Sequence, residues 1–532
     1  MMIGAMQAPP LRVTDLIDHA AREHGPREIV TRWADGTTSR STWAEVARDA
    51  RRFAAALVDL GLARGDRVAT LAMNHGHHLA AWYGAAGMGG VLHTVNPRLF
   101  HEQLAYIINH AGDRVLLYDA MFAPIVEKLK PELTTVEHFI VFDGSGEDGF
   151  RALIDRSDDG FEWVTGSERD PCGLCYTSGT TGHPKGVLYE HRSNIIHALA
   201  SLQPDVFDLS TRSVFLPVVP MFHANAWGVP YAAAMVGAKL VLSCTNEADV
   251  LWRLFRDEGV THSAGVPTVW LAMFADMDAN GGDYGRLRRA VIGGSAAPRA
   301  MIERLMRAGI EVAHAWGMTE TSPIGTIGSR PGDWDDLSFD RQVDVVVKQG
   351  RVPYGAELRT LDDDDRVLPR DGVTSGRLQI RGPWIIETYF GDDGGPAIDA
   401  DGWFDTGDVA ILHPDGVMQI TDRAKDVIKS GGEWISSIEL ENAAVGCAGV
   451  AEAAAVGVHH PKWDERPLLL VVRKPGSTVC EADILAYLSD KVAKWWLPDE
   501  IKFVAELPHT ATGKILKRAL RDEYRDYRLP GA

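Results

Sequence analysis

The sequence predicts an α/β large N-terminal domain with a β-rich subdomain, plus a small α+β C-terminal domain. Strand-like and helix-like runs alternate from residue 16 onward, the pattern of helices layered on a largely parallel sheet. Near residue 345 that alternation gives way to turn-bounded runs of period two, and past Asp422 it changes again into a compact mixture of helices and strands. At 532 residues the chain is also too long for a single compact core, so two or more domains are expected; the change past Asp422 places the division at 1–422 and 423–532.

Apolar spacing puts a helix over 16–24 and another over 43–60, the second carrying Val46, Phe53, Ala56, Leu57 and Leu60 on one side. The turn Gly61-Leu-Ala-Arg-Gly65 ends that helix, and 67–72 follows as a strand. The most apolar stretch, 79–95, is broken by Gly84, Gly87, Gly89 and Gly90, so it reads as a buried helix and strand rather than a membrane span. A strand at 115–118 leads into a helix at 120–128. Residues 172–176 read as a short buried strand, 188–199 are helix-compatible, and a helix is placed at 194–202. Further strands fall at 213–216 and around Val241 and Val291, and Pro298 opens a helix. In the β-rich part a strand begins at Leu358, the acids 362–365 form a solvated hairpin tip, and 376–382 alternates as a strand. The C-terminal piece has helices at 437–443 and 481–491, strands at 452–458 and 468–472, and a last helix from Ile515.

Composition narrows the function. A net charge of -19 argues against a nucleic-acid partner, which demands a basic face, but leaves room for a polyphosphate in a local pocket. No basic segment followed by an apolar one opens the chain, so no signal peptide is indicated and a cytoplasmic protein is expected. Five cysteines make no disulfide scaffold, and Cys172 and Cys175 would face opposite sides of a strand, as small core residues. His75, His77, His78 and His93 lack accompanying ligands at metal spacing and read as hydrogen-bonded structural histidines.

The stretch that carries chemistry is Tyr176-Thr-Ser-Gly-Thr-Thr-Gly-His-Pro-Lys185-Gly-Val187. A strand running into a loop of hydroxyls and glycines (Thr177, Ser178, Gly179, Thr180, Thr181) with Lys185, then a helix, surrounds an anion such as phosphate. It is no Walker A loop, because Pro184 precedes the lysine and Gly186 follows it. Further on, Pro220-Met-Phe-His-Ala-Asn-Ala-Trp-Gly228 mixes aromatic and imidazole groups with small residues. Val291-Ile-Gly-Gly-Ser-Ala-Ala-Pro298 ends a strand on two glycines, where backbone can approach a flat ligand. His314-Ala-Trp-Gly-Met-Thr-Glu-Thr-Ser322 supplies a carboxylate suited to a divalent ion. Asp401-Gly-Trp-Phe-Asp-Thr-Gly-Asp408 puts a carboxylate after a glycine turn, able to accept two ribose hydroxyls. Ile420 to Trp434 and Leu507 to Arg518 each carry lysines beside glycines.

Taken in order along residues 176–518, these motifs resemble those of the adenylate-forming superfamily, which includes acyl-CoA synthetases, peptide-synthetase adenylation domains and firefly luciferase. The combination of Phe222-His-Ala-Asn-Ala-Trp227 with Ser430-Gly-Gly-Glu-Trp-Ile-Ser436 is most similar to bacterial medium- and long-chain fatty-acyl-CoA synthetases and 3-methylmercaptopropionyl-CoA ligases.

The resemblance implies ATP, Mg2+ and CoA as cofactor and cosubstrates, with a small mobile C-terminal lid carrying the adenylation lysine, Lys514. By position, Glu320 is implied as the magnesium carboxylate with Thr177 as a second ligand, and His223 lies near the reacting carboxylate. Thr319 matches a phosphate contact, and Gly294, Ser295, His314, Ala315 and Trp316 fall around the adenine. Asp408 matches the ribose acceptor, Arg423 an adenylate contact, and Lys425 the hinge. Lys429, Gly432 and Trp434 fall near adenylate or pantetheine, while Trp227 and Gly317 belong to the acyl site, Trp227 as its gate. The implied reaction joins a carboxylic acid to CoA through an acyl-adenylate, releasing AMP and pyrophosphate, with medium-chain acids favoured. The alternatives are a short methylthio acid as substrate, an adenylation enzyme loading a separate carrier protein, a luciferase-like oxygenase and a non-catalytic nucleotide sensor. The expected partners are small molecules, with no transmembrane segment and room for a homodimer.

Overall fold

The computed structural model describes residues 5–143, 146, 149–177, 183–392, 395–431, 433–509 and 515–530. Two α/β sheets make up most of the chain, where a single largely parallel sheet would have satisfied the pattern. The first has eight strands, ordered Ile324–Ile327, Glu311–Gly317, Arg289–Ile292, His262–Gly265, Val214–Pro217, Lys239–Ser243, Glu28–Arg32 and Thr38–Thr42. The second has six, ordered His138–Val141, Asp113–Tyr118, Arg67–Leu71, Val91–Thr94, Pro171–Tyr176 and Gly186–Glu190. Both are parallel inside, and antiparallel strands close one edge of the second sheet and both edges of the first. The inner strands are buried on both faces, so they read as near-continuous apolar runs.

The largest core fills the space around the helices Val13–His24, Trp43–Asp59, Gly76–Gly87 and Val229–Val236. Trp43–Asp59 starts where its sequence demands: Thr42 and Glu45 form a reciprocal capping box. The glycines of the apolar stretch have a packing role. A Cβ on Gly84 would stand 2.6 Å from the Ala50 carbonyl oxygen, and one on Gly87 would lie 2.3 Å from the Trp163 ring. Here the helix Gly76–Gly87 is pressed too closely against its neighbours to carry side chains.

The four candidate metal histidines are each occupied. His75 bonds Asp119 at 2.9 Å, His77 the Phe142 carbonyl, His78 both Met73 and Thr70, and His93 Asp113 at 2.7 Å. Cys172 and Cys175 are buried free thiols.

The β-rich part is a four-stranded antiparallel sheet, Glu357–Leu361, Ser375–Arg381, Phe404–Leu412 and Met418–Arg423, with the acidic 362–365 segment in the turn after its first strand. The C-terminal piece has its own core around Ile428, Leu440, Leu469 and Ile484. It is stitched to the last β-rich strand by Asp422, which accepts bonds from the Ser437 amide at 2.6 Å and the Ser437 hydroxyl at 2.9 Å. Lys517 of the last helix donates to Ser437 and pairs with Glu441 at 2.6 Å, so three separate segments meet at this buried knot.

Candidate active site

The glycine-threonine stretch connects two antiparallel strands. Pro171–Tyr176 and Gly186–Glu190 pair antiparallel, with Tyr176 opposite Gly186, and the helix His191–Ser201 begins only after the second strand. This corrects the expected strand-loop-helix order. Val187 and Tyr189 are buried while Leu188 is exposed, a period of two that overrides the helix-compatible composition. No helix N-terminus therefore ends this loop, and the positive charge at its base comes from Lys185. The base is closed by the Thr177 amide to the Lys185 carbonyl at 2.9 Å and the Lys185 amide to Thr177 Oγ1 at 3.2 Å. Ser178, Gly179, Thr180 and Thr181 lie outside the described residues, as do Gly432 and Lys514.

Glu320 sits in the short turn Thr319–Thr321 after the strand Glu311–Gly317, and it is buried. The Tyr389 hydroxyl donates to Glu320 Oε1 at 2.9 Å. Burial pushes the Glu320 carboxyl above the usual range, opposed by the Tyr389 hydrogen bond and the nearby Arg423 charge. The turn is held from two sides: Tyr189 donates to the Thr319 carbonyl at 2.8 Å, and the Ile386 amide to the Glu320 carbonyl at 3.0 Å.

Asp408 lies in the strand Phe404–Leu412 opposite Arg423, and it is buried. Arg423 Nε pairs with Asp408 Oδ1 at 2.8 Å, and the Trp316 indole N–H donates to Oδ2 at 2.8 Å. The Trp316 ring itself packs flat on Gly325, where an added Cβ would fall 2.2 Å from the indole. His314 is buried between the backbones of Ala297 and Val347, accepting at Nε2 from the Ala297 amide, and burial lowers its pKa to about 4. It thereby ties the exposed Ser295 loop to the strand as a neutral imidazole.

Trp227 follows Ala224, Asn225 and Ala226 in a left-handed turn, with φ of 42°, 56°, 47° and 57° along the four residues. Left-handed backbone costs about 1–2 kcal/mol per non-glycine residue, so surrounding packing must hold this turn. The indole lies over the bare backbone of Gly293, whose missing Cβ would meet Trp227 at 3.2 Å and the Ala315 carbonyl at 3.0 Å. Gly317 is pressed on the Pro323 carbonyl, 1.8 Å from any added Cβ. His223 is half-buried just before the turn.

The structure joins these residues into three groups: Thr177, Lys185, Tyr389 and Glu320; Trp316, Asp408 and Arg423; and Trp227, Gly293, Gly294 and Ala315. The first two are close enough for Asp408 and Arg423 to act on the Glu320 charge. Lys425 is exposed in the turn after Arg423. Lys429 and Trp434 face each other across the hairpin Ile428–Ser430 and Glu433–Ile435 of the C-terminal piece, and no contact joins them to these groups among the described residues. Tyr389 and Tyr189 were not picked out in the sequence. The available signal was the aromatic pair Tyr389-Phe390 before Gly391, in a stretch with no regular period.

Comparison with known proteins gives this geometry its setting. The family model described as AMP-binding enzyme matches residues 17–390, and that of the AMP-binding enzyme C-terminal domain matches 439–514. The chain belongs to the AMP-binding enzyme family. Within the family it is 49% identical over 536 residues to the 3-methylmercaptopropionyl-CoA ligase of Ruegeria lacuscaerulensis, covering 99% of each chain. It is 46% identical over 539 residues to the medium-chain-fatty-acid–CoA ligase of Ectopseudomonas oleovorans, covering 99% of this chain and 98% of that one. The solved anthranilate CoA ligase AuaEII, in complex with anthranoyl-AMP, superposes with a TM-score of 0.88 at 25% identity and 98% coverage of both chains. The enzyme class follows: the protein is an AMP-forming acyl-CoA ligase.

Proposed function

We propose that the protein activates an unbranched medium-chain aliphatic acid, joining it to CoA through an acyl-adenylate. The observation that carries the substrate reading is the Trp227 indole lying against the bare backbone of Gly293 and Gly294, in the same buried apolar core as Ala226, Val229, Val291 and Ala313. An apolar surround of this kind rewards each buried methylene by about 0.8 kcal/mol and offers no charge to a polar tail. The medium-chain ligase of Ectopseudomonas oleovorans, 46% identical, supports the same reading.

In this reading a substrate carboxylate oxygen, oriented near His223, attacks the α-phosphorus of ATP, forming the O–P bond of the acyl-adenylate as the bond from that phosphorus to pyrophosphate breaks. The CoA thiol then attacks the acyl carbon, releasing AMP. Lys185 and the hairpin loop hold the phosphates, Thr319 adds a contact, Asp408 accepts the ribose hydroxyls, and Lys514 brings charge to the transferring group. Magnesium fits the donors present, because the Glu320 carboxylate and the Thr177 hydroxyl are hard oxygen ligands and Tyr389 already orients one Glu320 oxygen. When bound it supplies charge neutralisation on the triphosphate. The division at 1–422 and 423–532, with Lys425 at the joint, is supported by the separate core of the C-terminal piece. Lys429, Gly432 and Trp434 then face adenylate or pantetheine as that piece turns.

A second reading has 3-methylthiopropionate as substrate, supported by the 49% identity to ligases of that name. A thioether is close in size and polarity to a methylene, so the same apolar wall admits it. Among the described residues no helix is long and apolar enough to cross a membrane. A cytoplasmic location is supported by five free cysteines, four of them buried; a homodimer is carried forward for sedimentation to test.

The test is pyrophosphate release across straight-chain acids from acetate to palmitate, with methylthio and aryl acids alongside. A maximum at medium length is expected. A best rate with 3-methylthiopropionate selects the second reading, and a best rate with acetate or benzoate overturns both.

A further inference from the structure

We propose that Tyr389 is a positioning residue for adenylation, its hydroxyl orienting the Glu320 carboxylate while its ring face seats the Lys185 ammonium. The inference rests on the reading above that Glu320 and Lys185 serve ATP. Tyr389 Oη is 2.9 Å from Glu320 Oε1, and Lys185 Nζ stands 4.6 Å from the centroid of the same ring. One phenol therefore touches two groups of opposite charge that come from separate segments, the Thr319–Thr321 turn and the residue just before the strand Gly186–Glu190.

The arrangement solves a physical problem. An exposed ammonium and a buried carboxylate that meet on one ring are thereby each given a partner other than the other, which leaves the lysine for a triphosphate and the glutamate for its cation. A phenol between them satisfies both without discharging either. Its O–H donates to the carboxylate, and the negative face of its ring attracts the ammonium.

Tyr389 is well placed for this because its segment is anchored at both ends of the site. Ser322 Oγ donates to the Trp384 carbonyl at 2.7 Å, the Trp384 indole donates to the Ile324 carbonyl at 3.0 Å, and the Ile386 amide donates to the Glu320 carbonyl at 3.0 Å. On the other side, Phe390 abuts Gly186 at the hairpin base, where an added Cβ would come within 3.0 Å of it. His110 holds that base as well, bonding the Tyr176 hydroxyl at 2.6 Å and meeting Phe390 edge to face. The distance between the Glu320 turn and the Lys185 hairpin is thus set through residues 384–390.

The test uses Tyr389→Phe, which keeps the ring, and Tyr389→Leu, which removes both functions. ATP affinity is measured by calorimetry with and without Mg2+, beside the kcat and KM for ATP in pyrophosphate exchange and the rate of CoA transfer from supplied acyl-AMP. For Tyr389→Phe, the gain in ATP affinity that Mg2+ confers should fall by roughly tenfold, the size of a lost hydrogen bond to a charged group. Its metal-free ATP affinity should stay within about twofold of wild type. Tyr389→Leu should in addition weaken metal-free ATP binding by about threefold, as expected for a lost cation–π contact. CoA transfer should persist in both. In a Glu320→Gln background, Tyr389→Phe should have no further effect on the Mg2+ response. A wild-type Mg2+ response in Tyr389→Phe, independent multiplying effects of the two substitutions, or equal loss of both half-reactions overturns the proposal. An intact Mg2+ response in Glu320→Gln itself overturns the reading of Glu320 and the proposal with it, a signature distinct from failure of Tyr389→Phe alone.

Discussion

Trp316 donates its indole N–H to Asp408 at 2.8 Å across the boundary between the first α/β sheet and the β-rich sheet. The side chain expected beside adenine therefore also orients the carboxylate expected to hold the ribose. Arg423, about half exposed, takes the other Asp408 oxygen.

Trp316→Phe should weaken ATP binding by about tenfold or more, since a hydrogen bond to a charged group contributes about 1.5–3 kcal/mol. Asp408→Ala should weaken it further by removing the acceptor itself. Calorimetric titration with ATP decides, and an unaltered affinity in Asp408→Ala removes the ribose assignment.

Lys514→Ala should slow acyl-AMP formation by about 2.7–4 kcal/mol in barrier, the typical cost of one lost charge-stabilising donor. CoA transfer from supplied acyl-AMP should survive. Equal loss of both half-reactions in stopped-flow traces would refute a lysine that acts in the first step alone.

Trp227→Ala should shift chain-length preference more than ATP affinity if the indole, which lies against the Gly293 backbone, closes the acyl site. If Trp227 is only packing, the loss is about 3–5 kcal/mol of stability with an unshifted preference. Melting curves and an acid series on one preparation separate the two.

Stability should fall on acidification. Burial lowers the pKa of His77, His191, His262 and His314 to about 4 and of His78 and His197 to about 3. The unfolded chain protonates these rings first, so their contribution is whole above about pH 6.5 and is lost as the pH drops toward 4. Each adds a slope of about 1.4 kcal/mol per pH unit across that interval. Tm measured from pH 8 to 4 should fall, and His262→Gln, remote from the site, should flatten the curve. A Tm that rises on acidification would contradict the sign.

Much of the site is legible because its chemistry is local in sequence. Glycines and hydroxyls cluster at 177–186, a carboxylate follows a glycine at 408, and the glycine pair at 293 ends a strand; no partner is needed to see that these positions suit a nucleotide. The helix expected at 43–60 and observed at Trp43–Asp59 is equally legible, because its apolar period lies within the segment itself.

Other features depended on residues far apart. Residues 188–199 have helix-compatible composition, and only pairing with Pro171–Tyr176 made the first of them a strand, since a ladder's hydrogen bonds and a buried face outweigh intrinsic propensity. Tyr389 carries no local mark beyond its place in an aromatic pair; its partners Lys185 and Glu320 come from two other segments of the chain. Trp316 likewise reads in sequence only as a place beside adenine; its bond to Asp408, distant in sequence, exists only in the folded chain. Local propensity and residue chemistry determined most of the segments and which of them carry the hydroxyls, glycines and lysines suited to an anion. Which groups face one another was decided by tertiary packing, because a buried donor or charge must find its partner in space, wherever in the chain that partner lies.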